Sequence, residues 1–166
     1  TTLFRSSGTI LADNPNLNVR LKNKKSPIRI IFDPNNKIPL NYNVFKNDGN
    51  RIILINNANI NLPVHIEQIK FDNFDKLFKE LYSKNIYSIM VEAGQGLNSE
   101  LLKNKEVDEI NQFISPKIFG SGINFVDGIN INEINECIEL KHVTIKKLND
   151  NFLIKGRILK NENSCN

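Results

Sequence analysis

Three short apolar runs constrain this chain more than anything else in it. PIRIIFD (27–33), RIILINN (51–57) and IYSIMVEA (86–93) are rich in β-branched residues, and none alternates strictly with polar ones. Runs of this kind are strands buried on both faces of a sheet, as parallel strands joined by crossovers are. The connections fit. Phe71, Phe74, Leu77, Phe78 and Leu81 recur at helical spacing, with Asp72 as the expected N-cap and Asn85 near the end, predicting an amphipathic helix over 73–84. Pro34 to Asn43 reads as loop, and NDGN (47–50) as a turn. Leu97, Leu101 and Leu102 predict a short helix after GQG (94–96).

The C-terminal third has a different texture. VDEINQFISP (107–116) reads as a fourth strand ended by Pro116, and KIFGSGINFVDG (117–128) as a glycine-containing loop. ELKHVTIKKL (139–148), the turn NDN (149–151) and FLIKGRIL (152–159) form an antiparallel hairpin. The expected fold class is α/β: a sandwich with a mostly parallel central sheet, finished by a C-terminal antiparallel hairpin. No repeat or linker divides residues 1–160, and 161–166 is a polar tail.

Composition removes several classes of function. A chain of 166 residues, 40% hydrophobic and 24% charged, is globular and long enough for a sizeable core. No apolar run approaches the roughly 20 residues that span a bilayer, and the opening TTLFRSSG is not a signal peptide. The formal charge is +4, but apart from Lys22, Lys24 and Lys25 the lysines are scattered, without the basic stripe of a nucleic-acid binder. Cys137 and Cys165 have no metal-ligand spacing and are too few for a disulfide framework, so a reduced, cytoplasmic setting is expected. His65 and His142 have no partner at ligand spacing either, so no metal is expected and both read as ordinary half-buried histidines. No serine sits in a nucleophile elbow.

Two segments have the residue types for a ligand site. In MVEAGQGLNSELL (90–102) a strand ends in a Gly-x-Gly turn that runs into a helix, with Glu92 at the strand's C-terminal end. Glycines let backbone approach a ligand, and a helix N-terminus favours phosphate. The other reading is a tight turn with an exposed acid. The pattern is not the dinucleotide fingerprint, because Ser99 stands where its third glycine belongs. In GTILADNPNLNVR (8–20) a short helix over Thr9 to Ala12 precedes Asp13-Asn14-Pro15, and Arg20 follows. An arginine fork suits a sugar phosphate. Taken alone, the segment equally fits a turn-capping Asp and a solvated Arg.

TILADNPNLNVR, PIRIIFD, MVEAGQGLNSELL, VDEINQFISPKIFGSG and the final hairpin come in the order and spacing of one family. The chain resembles the reductase domain of the bacterial riboflavin-biosynthesis deaminase/reductase, which is similar in fold to dihydrofolate reductase, a three-layer sandwich. The family pattern runs T-x-L-A-D-[DN]-P-x-L-x-x-R, then V-E-[GA]-G, then V-D-E-L and P-x-x-x-G. The likeness covers nearly the whole chain; its first motif is specific, whereas the Gly-x-Gly turn alone is not.

The resemblance implies NADPH-dependent reduction of 5-amino-6-(5-phosphoribosylamino)uracil to the ribitylamino compound. It assigns Thr9, Asp13, Gly94, Gln95, Gly96, Leu97, Asn98, Ser99 and Glu100 to the cofactor. Leu17, Arg20 and Glu92 fall to the substrate, with Arg20 on the ribose phosphate side. It nominates no catalytic acid. It also implies a homodimer, and a deaminase domain in a full-length protein. Several departures stand out. The family's earlier strand and helix, and its zinc deaminase domain with His-x-Glu and Cys-x-x-Cys, are not in this sequence. Pro34 stands where the family often has Ser, and Asn56-Asn57 offer no cation for a 2′-phosphate. NADPH over NADH is implied by the family alone. The competing expectations are a dihydrofolate-reductase-like enzyme for another pyrimidine or pterin, and a non-catalytic dimerisation domain.

Overall fold

The computed structural model describes residues 2–19, 21 and 24–159. They form two compact units, one ending at Leu97 and the other starting at Asn98. The first contains β1 (Thr2–Ser6), α1 (Ser7–Asp13), β2 (Ile28–Phe32), β3 (Ile52–Ile55), β4 (Ile66–Ile69), α2 (Phe74–Ser83) and β5 (Met90–Val91). The division falls within α3 (Gln95–Lys103), and β6 (Glu109–Ile114), β7 (Leu140–Leu148) and β8 (Asn151–Ile158) follow.

In the first unit five strands pair in parallel, in the order β4-β3-β2-β1-β5. Side chains alternate between the two faces of such a sheet. On one face Ile31, Ile52 and Leu54 pack with Ile10 of α1 and with Ile38, Val44 and Phe45 from the connections. On the other, the Phe4 and Phe32 rings meet edge to face at 5.7 Å, and Phe74 of α2 stacks on Phe32 at 5.8 Å. Both faces being covered is why β3 reads as an unbroken apolar run and β2 as one broken only by Arg29, each fully buried isoleucine contributing roughly 1.5–3 kcal/mol. This unit supplies the layers of the expected α/β sandwich.

One buried polar residue organises the connections. Arg29 in β2 is fully buried. Its Nε donates to the Leu17 carbonyl at 3.3 Å and its Nη1 to the Val44 carbonyl at 3.3 Å, while Nη2 pairs with Asp48 in the predicted NDGN turn. Burial pushes the Asp48 carboxyl up, but hydrogen bonds from Arg29 and Asn50, with the Arg29 charge, outweigh it and hold the group below the usual carboxylate value.

Some expectations change. The strand expected over 86–93 shortens to Met90–Val91, and Met90 is exposed rather than buried. β5 ends the sheet and pairs only with β1 among the described residues, so it lacks the second neighbour that buries β2 and β3. The cap of α2 is Asn73, whose side chain accepts the Lys76 N–H at 2.9 Å; Asp72 instead forms an ion pair with Lys76 one turn on. β1 and β4 were not anticipated.

The second unit is a three-stranded antiparallel sheet, β6-β8-β7. The predicted hairpin is β7 and β8, turning through Asn149 at φ 53°, a left-handed conformation that Asn tolerates. The fourth predicted strand, β6, joins this sheet. The β7–β8 register shifts between Lys141 and Thr144. His142 lies at that irregularity with φ 50° and is exposed, correcting the half-buried expectation. His65 is half-buried, its Nε2 2.8 Å from the Phe45 carbonyl. Among the described residues no His/Cys/Asp/Glu group could hold a metal, and no helix is long and apolar enough to cross a membrane.

Candidate active site

Parallel pairing brings the C-terminal ends of β1, β2, β3 and β5 to one edge of the first unit, the edge where open α/β sheets bind ligands. Glu92 lies there, directly after β5. The Glu92 N–H donates to the Phe4 carbonyl at 3.0 Å, continuing the β1–β5 ladder. Leu3 is beside Met90 and Phe4 beside Val91, so Arg5 is the next neighbour in step with Glu92. The Arg5 Nη2 donates to the Glu92 carboxylate, with the two side chains 21% and 44% exposed. The Arg5 Nε is buried with no hydrogen-bond partner among the described residues.

β1 leads directly into α1 at the same edge. The Ser6 and Thr9 hydroxyls lie 3.3 Å apart, and buried Ile10 ties the helix to the sheet. Asn14 ends the helix at φ 41°, its N–H donating to the Ile10 carbonyl at 2.9 Å. Asn43 clasps Asn14 twice at 2.9 Å, its N–H donating to Oδ1 and its Nδ2 to the backbone carbonyl. Asn14 therefore makes the turn that sequence reading left open to Asp13. Asp13 remains exposed at the C-terminal end of α1, where the helix dipole disfavours an acid. Thr9 and Asp13, four apart, share a face of the helix. Leu17 is half-buried against the Ile10–Ile31 cluster at φ 48°. Arg20 lies outside the described residues.

The helix expected after GQG starts inside it: α3 begins at Gln95, so only Ala93 and Gly94 lie between Glu92 and the helix, and Gly96 is in its first turn. Neither Gly94 nor Gly96 has a positive φ, and a Cβ on either would meet nothing within 4 Å. Neither backbone conformation nor packing calls for glycine at these positions, and both are exposed. Such a surface admits a ligand close to the main chain. Leu97 is buried and anchors the start of α3. Asn98, Ser99 and Glu100 belong to the second unit. There the Asn98 Nδ2 donates to the Phe125 carbonyl at 3.3 Å, and the Ser99 hydroxyl accepts the Asp127 N–H at 2.8 Å. Glu100 pairs with Lys103 at 3.2 Å. The Asn98 and Ser99 side chains thus hold the 125–127 loop, a role the sequence did not suggest.

Sequence reasoning also missed the framework behind the strand ends. The Asp33 carboxylate is buried and accepts the Lys37 N–H at 2.9 Å and the Ile38 N–H at 2.8 Å, fixing the loop that begins at Pro34. Buried Asn56 donates from Nδ2 to the Asp33 carbonyl at 3.1 Å and accepts the Ala58 N–H at 2.7 Å. Lys70, just past β4, brings a cation to the Asn56-Asn57 strand end. Its Nζ donates to the Asn57 carbonyl at 3.0 Å, the Ala58 carbonyl at 2.6 Å and the Asn59 Oδ1 at 3.1 Å, so all three donors pin that loop. A cavity of about 500 Å³ in the second unit, lined by Ile110, Phe125, Cys137 and Leu140 among others, contains none of the expected site residues.

Comparison with known proteins identifies relatives of this chain. The chain is 28% identical over 162 residues to the riboflavin biosynthesis protein RibD of Aquifex aeolicus, covering 93% of this chain and 45% of that protein. It is 33% identical over 138 residues to the 5-amino-6-(5-phosphoribosylamino)uracil reductase of Buchnera aphidicola subsp. Acyrthosiphon pisum, covering 71% and 67%. The solved diaminohydroxyphosphoribosylaminopyrimidine deaminase/5-amino-6-(5-phosphoribosylamino)uracil reductase of Thermotoga maritima superposes with a TM-score of 0.81 at 29% identity, over 95% of this chain and 45% of that one. The chain thus spans under half the length of the Aquifex and Thermotoga proteins. Residues 1–154 match the RibD C-terminal domain model, and the chain belongs to that family.

Proposed function

We propose that this domain reduces 5-amino-6-(5-phosphoribosylamino)uracil to 5-amino-6-(5-phosphoribitylamino)uracil with NADPH, in riboflavin biosynthesis. The observation that carries the reading is the open backbone from Gly94 to Gly96, at the start of α3 and two residues past Glu92, at the ligand-binding edge of a parallel sheet. The Buchnera relative named for this activity supports it.

Glu92 accepts a hydrogen bond from the substrate, and Arg20 and Leu17 hold its phosphoribosyl side. Thr9 and Asp13 contact the cofactor from α1, and the 94–100 segment accommodates its diphosphate, with backbone rather than side chains serving at Asn98 and Ser99. The bound cofactor supplies the hydride. The residues contribute alignment: they hold the sugar C1 at the nicotinamide and exclude water. No side chain is assigned as the proton donor. We place the protein in the cytoplasm as a homodimer, carried with a deaminase domain in the full-length protein. The exposed apolar side chains of the second unit, Phe113 and Ile145 among them, support self-association.

The test is transfer of label. With deuterated NADPH and the phosphoribosylamino compound, deuterium is expected at C1 of the ribityl product. Cofactor oxidation without that product would move the reading to another pyrimidine or pterin. Arg20→Ala is expected to raise the substrate KM far more than it weakens NADPH binding.

A further inference from the structure

We propose that Arg5 is a positioning residue that fixes the Glu92 carboxylate for the substrate, an inference that rests on reading Glu92 as a substrate contact. The register is the first support. β1 and β5 run in parallel, and the pair after Phe4 and Val91 is Arg5 and Glu92, on one face of the sheet. β5 is two residues long and ends the sheet, so among the described residues backbone pairing holds Glu92 only through its N–H to Phe4. A glutamate at such a site would otherwise sample many rotamers. The Arg5 guanidinium removes that freedom by donating to the carboxylate.

The second support is that Arg5 is a poor choice for stability. Its Nε is buried and has no hydrogen-bond partner among the described residues, which is unfavourable for folding. The pair's other half, the Glu92 side chain, is 44% exposed, and solvent-exposed ion pairs contribute little. Its neighbours on the same face, Leu3 and Ile31, show that an apolar side chain suits this position. An arginine that weakens the fold while gripping an exposed acid at the ligand-binding edge serves the site. It also offsets the Glu92 charge, so a phosphorylated substrate approaches without like-charge repulsion.

Three variants of the full chain test this: Arg5→Met, Arg5→Lys and Glu92→Gln. Arg5→Met is expected to melt no lower than wild type. It should weaken binding of 5-amino-6-(5-phosphoribitylamino)uracil by on the order of tenfold or more, the loss of a charge-assisted contact, and leave NADPH affinity unchanged. Arg5→Lys should recover part of that loss. A lower melting temperature with unchanged uracil binding overturns the proposal, because a purely structural ion pair behaves that way. Glu92→Gln separates the two readings. If it binds like wild type, Glu92 is no substrate contact and the functional reading fails. If it binds weakly while Arg5→Met does not, only the positioning role fails. A ligand-free crystal structure of Arg5→Met decides independently of any ligand. The carboxylate should leave its place beside β1, and an unmoved Glu92 overturns the proposal.

Discussion

All four residues of β3 are buried, whereas none of the nine in β7 is. The contrast extends to the units that contain them. In the first, Ile30, Ile31, Ile53 and Ile55 are inaccessible on one face or the other of a covered sheet. In the second, no apolar side chain after Leu102 is buried among the described residues, and Phe113 and Ile145 are 70% and 68% exposed. The first unit is a finished core that can hold site residues still. The second presents apolar surface of the kind that partners cover. It is therefore fitting that the strand ends, the α1 turn and the glycine turn all belong to the first.

The sharpest way to break this contrast is a truncation in each unit. Ile53→Ala is expected to lower the unfolding free energy by about 2–5 kcal/mol, the usual cost of a core cavity, read as a shift in the urea midpoint. Equal tolerance of Ile53→Ala and a surface change would show that the first unit is not the core. Arg29→Met comes next, at about 2–3 kcal/mol, because it orphans the Val44 carbonyl.

The Arg29–Asp48 pair also predicts a pH dependence. The Asp48 carboxyl is held below its ordinary value of 3.8 in the folded state, so its stabilisation is full above that value and disappears as pH falls through the lowered one. Arg29→Met should flatten this acid limb, and an unchanged limb would assign it to other carboxylates.

Gly156 tests the second unit at its tightest point, since a Cβ there would lie 2.8 Å from the Leu140 Cβ. Gly156→Ala is expected to cost about 1–3 kcal/mol, as overpacking does, and a neutral result would show a looser sheet. The smallest effect belongs to Ile145→Ala, within about 0.5 kcal/mol. Light scattering should nevertheless show weakened self-association for it, and a substantial loss of monomer stability would contradict the contrast.

What could be read in advance follows the same division. β2 and β3 were legible because burial on both faces leaves a nearly continuous apolar signal, broken in β2 only by Arg29. β1 and β4 were not, because TLFRS and IEQI interleave polar residues into short runs. The candidate-site segments were visible as motifs, but their inner division of labour was not. Asn14, rather than Asp13, makes the turn only because Asn43 reaches it from 29 residues away. Arg5 and Glu92 are 87 residues apart and meet through strand register alone. Arg29, inside an apolar run, gave no hint that two connections depend on it, because a buried arginine is legible only once its acceptors are in place.

The central claim is that the edge of the first unit, from Glu92 through the glycine turn, is a cofactor-binding surface. A calorimetric titration of wild type and Gly96→Val with NADPH, with NADH beside it, tests that most directly. Among the described residues nothing lies within 4 Å of a Cβ at position 96, so the variant should fold with wild-type stability. NADPH is expected to bind the wild type and not Gly96→Val. Wild-type affinity in a folded Gly96→Val would contradict that claim, as would a wild-type chain that binds neither nucleotide.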